Sequence, residues 1–157
     1  MRSMQWDQVN AVLEQFAARV GLDECTLDEQ GWAQLAFDDV FVSLLLDEER
    51  GALLLLTSVG RPQASAEIYG WLLDANLFWS GARGAILARD PAARAIILQR
   101  PLPVAGLEPE HLEAALENFV GAAEELRRRL AQAEGRIAPD GGEERLAPEI
   151  MQHLLRA

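Results

Sequence analysis

The chain of 157 residues contains no lysine: all 14 basic residues are arginine, set against 25 acidic residues for a formal net charge of -11. Nucleic-acid binding without sequence preference draws on a basic surface that displaces counterions from phosphate. The one basic run, Arg127-Arg128-Arg129, is too small to supply that surface. A single cysteine, Cys25, excludes an internal disulfide and a cysteine-rich metal site, and agrees with a reducing compartment. Long apolar runs are missing too. The longest, Ala52 to Leu56, falls far short of the roughly 20 residues of a membrane span. The apolar residues near the N-terminus are spaced, not continuous as in a signal peptide. The expectation is a cytoplasmic protein with no membrane or nucleic-acid partner.

Groups able to do chemistry are equally sparse. His111 and His153 are the only histidines and lie far apart. Cys25 sits between Glu24 and Thr26 with no adjacent base, and acidic neighbours raise a thiol pKa. The pair Asp38-Asp39 and the run Asp47-Glu48-Glu49 fall where turns are expected, and such carboxylates are ordinarily solvated. Asp23, Glu24, Asp28 and Glu29 lack the spacing of a calcium loop. Gly81-Ala82-Arg83-Gly84 lacks the lysine and hydroxyl of a phosphate loop. No set of residues fills the roles of a catalytic site, so the chain reads as a non-enzyme without catalytic, metal or cofactor residues.

What the chain has in quantity is patterned apolar surface. Trp6, Val9, Leu13, Phe16 and Val20 recur at helical spacing, with Ser3 placed to cap the start and Gly21 to stop the end. Three short apolar runs follow, Trp32–Phe37, Val40–Leu46 and Leu53–Val59, separated by Asp38-Asp39 and by a turn-rich stretch ending in Gly51. Their length and separators predict strands of an antiparallel meander despite the leucine content. Alternation puts Leu44 and Leu46 on one face and Phe41 and Leu45 on the other, so both faces need cover. A second helix is expected over 63–77, strands over 85–89 and 94–99 ending at Pro101 and Pro103, and a last helix from Pro109 to about Gln132. The fold class is therefore α+β, ordered helix-strand-strand-strand-helix-strand-strand-helix, with a twisted antiparallel sheet flanked by helices. Residues 1–134 form the expected domain. Residues 135–157 read as a glycine- and proline-containing linker and a short amphipathic tail with Ile150, Met151, Leu154 and Leu155.

Several strings in this order resemble the dimeric, effector-specific chaperones of type III secretion, the Tir chaperone or CesT-like family. They are Phe16 to Leu22 at the end of the first helix, Leu35 to Asp39, Leu53 to Gly60, and above all Leu72-Leu73-Asp74-Ala75-Asn76-Leu77, with Leu112, Leu116, Phe119 and Ala122-Ala123 in the last helix. The resemblance spans about Met4 to Leu130. It implies a homodimer that holds an extended N-terminal segment of one or a few secreted effectors and presents it to the secretion apparatus, without a cofactor. It places the dimer interface at Ile68, Trp71, Leu72, Phe78, Trp79, Ile86 and Leu87. The effector would be bound by Phe16, Val20, Leu35, Phe37, Val42 and Leu44 together with an open sheet edge. Some proteins of this fold sequester a soluble regulator instead of a secreted client. The family usually ends soon after the last helix, whereas about 25 residues follow Gln132 here.

Overall fold

The computed structural model describes residues 3–79 and 81–135. The linker and tail expected over 135–157 lie outside the described residues from position 136 onward. Helix α1, Met4–Val20, is capped by Ser3, whose hydroxyl accepts from the Trp6 amide at 3.1 Å, and ends at Gly21 in the left-handed region (φ 76°). The meander is β1 Trp32–Phe37, β2 Val40–Asp47 and β3 Ala52–Gly60. The leucine-rich runs are strands because their turns close them into hairpins. Asp38 takes φ 50° between β1 and β2, and Gly51 takes φ 60° between β2 and β3. In the second turn Asp47 accepts from the Arg50 amide (3.1 Å) and guanidinium (2.8 Å). The Arg50 side chain holds the Asp47 carboxyl below the usual carboxylate range.

Helix α2, Ala66–Ala75, starts later than its apolar pattern suggests, because Ser65 caps it by accepting from the Ile68 amide at 3.3 Å. Its end is also earlier: Leu77–Trp79 form a separate 3-10 turn with Phe78 at φ 52°. Gly81 follows, and a Cβ there would lie 2.8 Å from Ala75. Only glycine lets the chain double back so closely on α2.

Strands β4, Ile86–Asp90, and β5, Ala95–Pro103, complete a five-stranded antiparallel sheet in the order β1-β2-β3-β5-β4. The prolines do not end β5; it runs through both of them. Pro101 and Pro103 share the parity of Gln99, whose backbone faces β4. Strand β4 pairs no further than Gln99, so the missing N–H groups point to a side with no neighbouring strand.

Helix α3, Pro109–Ala133, begins with proline at a position where the absent N–H costs nothing. The register puts Leu35, Val42, Leu44, Leu53, Leu55, Leu98 and Leu87 on one face. That face and the buried sides of α1, α2 and α3 form the main core, which includes Phe16 and Phe119. A smaller cluster of Leu45, Leu56, Ala95 and Ile97 occupies the opposite face, and no described helix residue belongs to it. Two bonds from the Arg127 guanidinium to the Ser58 carbonyl (2.7 and 3.1 Å) and one to the Asp39 carbonyl (3.0 Å) tie α3 to the meander.

Candidate protein-interaction site

The groups with chemical potential do not converge. Cys25 is buried, and burial pushes its thiol up to about 11, the opposite of a reactive cysteine. His111 is exposed in the first turn of α3, and His153 lies outside the described residues. A groove of about 380 Å³ between the end of β5 and the start of α3 is lined by Arg100, His111 and Asn118 among apolar residues, with no carboxylate or nucleophile. Among the described residues no group of histidine, cysteine and carboxylate side chains could hold a metal ion, and no helix is long and apolar enough to cross a membrane.

The surface does carry large apolar side chains in the open. Leu73 is 70% exposed, Leu77 63%, Phe78 83% and Ile86 36%. All four belong to the segment from α2 through the 3-10 turn to the start of β4. The core stripe of α2 is Ile68, Leu72 and Ala75. Leu73, with Leu77 four residues on, lies off that stripe. The bulky Phe78 in the left-handed region is a backbone outlier, and its side chain has no core to enter. Two hydrogen bonds brace this segment against the sheet. Asn76 Nδ2 donates to the Leu87 carbonyl at 2.9 Å, and the Leu87 amide donates to Asn76 Oδ1 at 2.8 Å.

Of the seven residues expected at a subunit contact, Phe78 and Ile86 are therefore on the surface. Ile68, Leu72 and Leu87 are buried in the core of the chain itself, and Trp71 is half-buried with the Arg129 guanidinium 4.8 Å above its ring. The placement of the Trp79 side chain is outside the description. Leu73 and Leu77 are not among those seven, although apolar residues off the buried stripe of a helix are the signal that finds them.

The six residues expected to touch an effector divide in the same way. Phe16, on the inner side of α1, and Leu35, Val42 and Leu44, on the helix-covered face of the sheet, are buried in the main core. Val20, 43% exposed at the end of α1, and the half-buried Phe37 remain accessible, with Leu22 exposed beside Val20.

The model of the Tir chaperone protein (CesT) family matches residues 11–127. The chain is 36% identical over 119 residues to the "Transcriptional anti-antiactivator ExsC" of Pseudomonas aeruginosa, covering 74% of this chain and 81% of that protein. It is 25% identical over 116 residues to the "Tir chaperone" of Escherichia coli O157:H7, covering 73% and 74%. Among solved structures, the crystal structure of the ExsC-ExsE complex superimposes with a TM-score of 0.71 at 35% identity, over 80% of this chain and 95% of that one.

Proposed function

The chain belongs to the Tir chaperone (CesT) family, and from that premise we propose that it is a cytoplasmic, homodimeric chaperone that sequesters a soluble regulator of a bacterial type III secretion system. The observation that carries this reading is the degree of likeness to the anti-antiactivator, 36% identity against 25% for the Tir chaperone over nearly equal lengths. That relative's name describes an action against an antiactivator of transcription, and its solved complex is with ExsE. Membership in a chaperone family makes the activity one of binding, not catalysis. Physically, binding takes an ordering cost from an unfolded partner and must bury enough apolar surface to exceed it.

Two surfaces divide the work. The exposed Leu73, Leu77, Phe78 and Ile86 form the contact between two copies, since a monomeric protein seldom leaves such a group uncovered. Gly70 supports this assignment. It lies three residues before Leu73 on α2, and a Cβ there would meet nothing within 4 Å. The protomer gains nothing from glycine at that place, but a second helix crossing there would. Partner contact then falls to the other side of the molecule, at Val20, Leu22, Phe37 and the β1 edge.

Affinity capture of the tagged chain from the producing bacterium, with the bound protein identified by mass spectrometry, tests the reading. A soluble transcriptional regulator should be recovered, and deletion of the gene should lower transcription of the secretion genes several-fold. The family's Tir chaperones support a second reading, that of an effector chaperone. Recovery of a secreted effector alone, with transcription unchanged and export of that effector lost, would establish it in place of the first.

A further inference from the structure

The one basic run of this acidic chain lies near the end of α3. Arg127 is engaged by the Ser58 and Asp39 carbonyls. Arg128 is exposed and makes no ion pair among the described residues. Arg129 lies over the ring of the half-buried Trp71. Beside that ring a groove of about 410 Å³ opens between the start of α2 and the end of α3. Ile68 and Trp71 give it an apolar wall, and Gln132 and Ala133 line its α3 side. The Gln63 amide donates to Glu134 Oε1 at 3.1 Å, which holds the two helix ends together. Trp71 and Leu73 are about 200° apart around α2, so the groove lies away from the exposed Leu73.

The chain leaves α3 at the same place. The Glu134 amide donates to the Leu130 carbonyl and the Gly135 amide to the Gln132 carbonyl, both at 3.0 Å, and Gly135 takes φ 68°. This left-handed stop starts the remaining sequence three positions after the groove-lining Ala133. In that sequence Ile150, Met151, Leu154 and Leu155 fall on one side of a helical turn, and Glu149, Gln152, His153 and Arg156 on the other. Pro148 suits the first position of such a helix. Its ten residues would span about 15 Å, the length of α2. Residues 136–147 reach up to about 40 Å when extended, far more than a return to an adjacent groove requires. They carry Asp140, Glu143 and Glu144, charges opposite to those of Arg128 and Arg129.

We propose that residues 148–157 fold back as a short helix into the α2–α3 groove of their own chain, with Leu154 and Leu155 against Ile68 and Trp71, while Asp140, Glu143 and Glu144 pass over Arg128 and Arg129. A tether of this length holds the segment at an effective concentration in roughly the millimolar range, so modest apolar burial fills the groove ahead of a free peptide. Arg128, Arg129 and the tail all lie beyond the family-matched residues 11–127, and the docking stands apart from the chaperone reading.

Cross-linking within the full chain tests it. Glu67→Cys puts a thiol on the exposed rim of the groove and Leu155→Cys puts one on the tail, while Cys25 stays buried with its thiol pushed up to about 11. A short bis-maleimide should join the new pair in a product of protomer mass. Ile150→Asp with Leu154→Asp should slow that reaction roughly tenfold, and Arg128→Glu should slow it at low ionic strength only. Without the new cysteines, hydrogen exchange at residues 151–155 should be roughly tenfold slower in the parent chain than in the Ile150→Asp, Leu154→Asp variant. A product of twice the protomer mass would assign the groove to the tail of another copy. Equal cross-linking and equal exchange with and without the two aspartates would leave the tail undocked. Either result overturns the proposal.

Discussion

Helices α2 and α3 pack on the same face of the same sheet and yet treat apolar residues in opposite ways. Along α3 the large apolar residues Leu112, Leu116, Phe119, Leu126 and Leu130 are all buried, and the outer side is charged. Along α2 and the turn after it, apolar residues lie on both sides: Ile68 and Leu72 enter the core while Leu73, Leu77 and Phe78 face outward. A helix that is amphipathic once is finished when its domain folds. A helix that is apolar twice has a second surface to bury.

The sharpest way to break this comparison is to remove one apolar group from each region. Phe119→Ala, which empties a fully enclosed site, should cost about 3–5 kcal/mol in a denaturant titration. Phe78→Asp should leave the protomer's unfolding free energy within about 0.5 kcal/mol, because its side chain is already in water. The same substitution, combined with Leu73→Asp, should weaken self-association by roughly 2–4 kcal/mol as read by light scattering across a dilution series. A Phe78→Asp protein that unfolds as easily as Phe119→Ala would place Phe78 in the protomer's own core and erase the distinction.

The sequence reveals one of these two surfaces more readily than the other, and the reason is physical. Helix and strand positions follow from periodicity and turn chemistry: Ser3, Gly21, Asp38 and Gly51 each stand where the backbone needs a cap or a left-handed residue. Pro101 and Pro103 mislead because proline is forbidden only where its nitrogen faces a neighbouring strand, and the short reach of β4 is a tertiary fact. Leu35, Val42 and Leu44 are expected as client contacts by resemblance. Only the register, which lines them up with Leu55 and Leu98, shows that they share the face closed by the helices. The exposed patch was half visible: Phe78 and Ile86 are expected at a contact by resemblance, while Leu73 and Leu77 needed the observation that Ile68, Leu72 and Ala75 already fill the core stripe. The two hydrogen bonds between Asn76 and Leu87 are not legible in the sequence, since they depend on how the chain returns after the turn.

The smallest expected effect discriminates most finely between the two helices, because each carries a glycine in mid-helix. Glycine in such a position costs about 0.8–1 kcal/mol relative to alanine in an exposed helix. In α3, a Cβ at Gly121 would sit 2.7 Å from Arg83 Nη1. Arg83 is ion-paired with Glu125 at 3.2 Å. Gly121→Ala must push that flexible guanidinium aside, and the gain in helix propensity should be partly cancelled, leaving stability within about 0.5 kcal/mol of the parent. In α2, Gly70 faces open space, so Gly70→Ala should stabilise the isolated protomer by close to the full ~1 kcal/mol in chemical unfolding at concentrations below the dimerisation constant. If two α2 helices cross at Gly70, the same methyl group holds them apart, and self-association should weaken while the protomer becomes more stable. Opposite signs for the two measurements on one substitution would place the crossing at Gly70. Equal gains in protomer and dimer would move the contact away from it, toward Phe78 and Ile86.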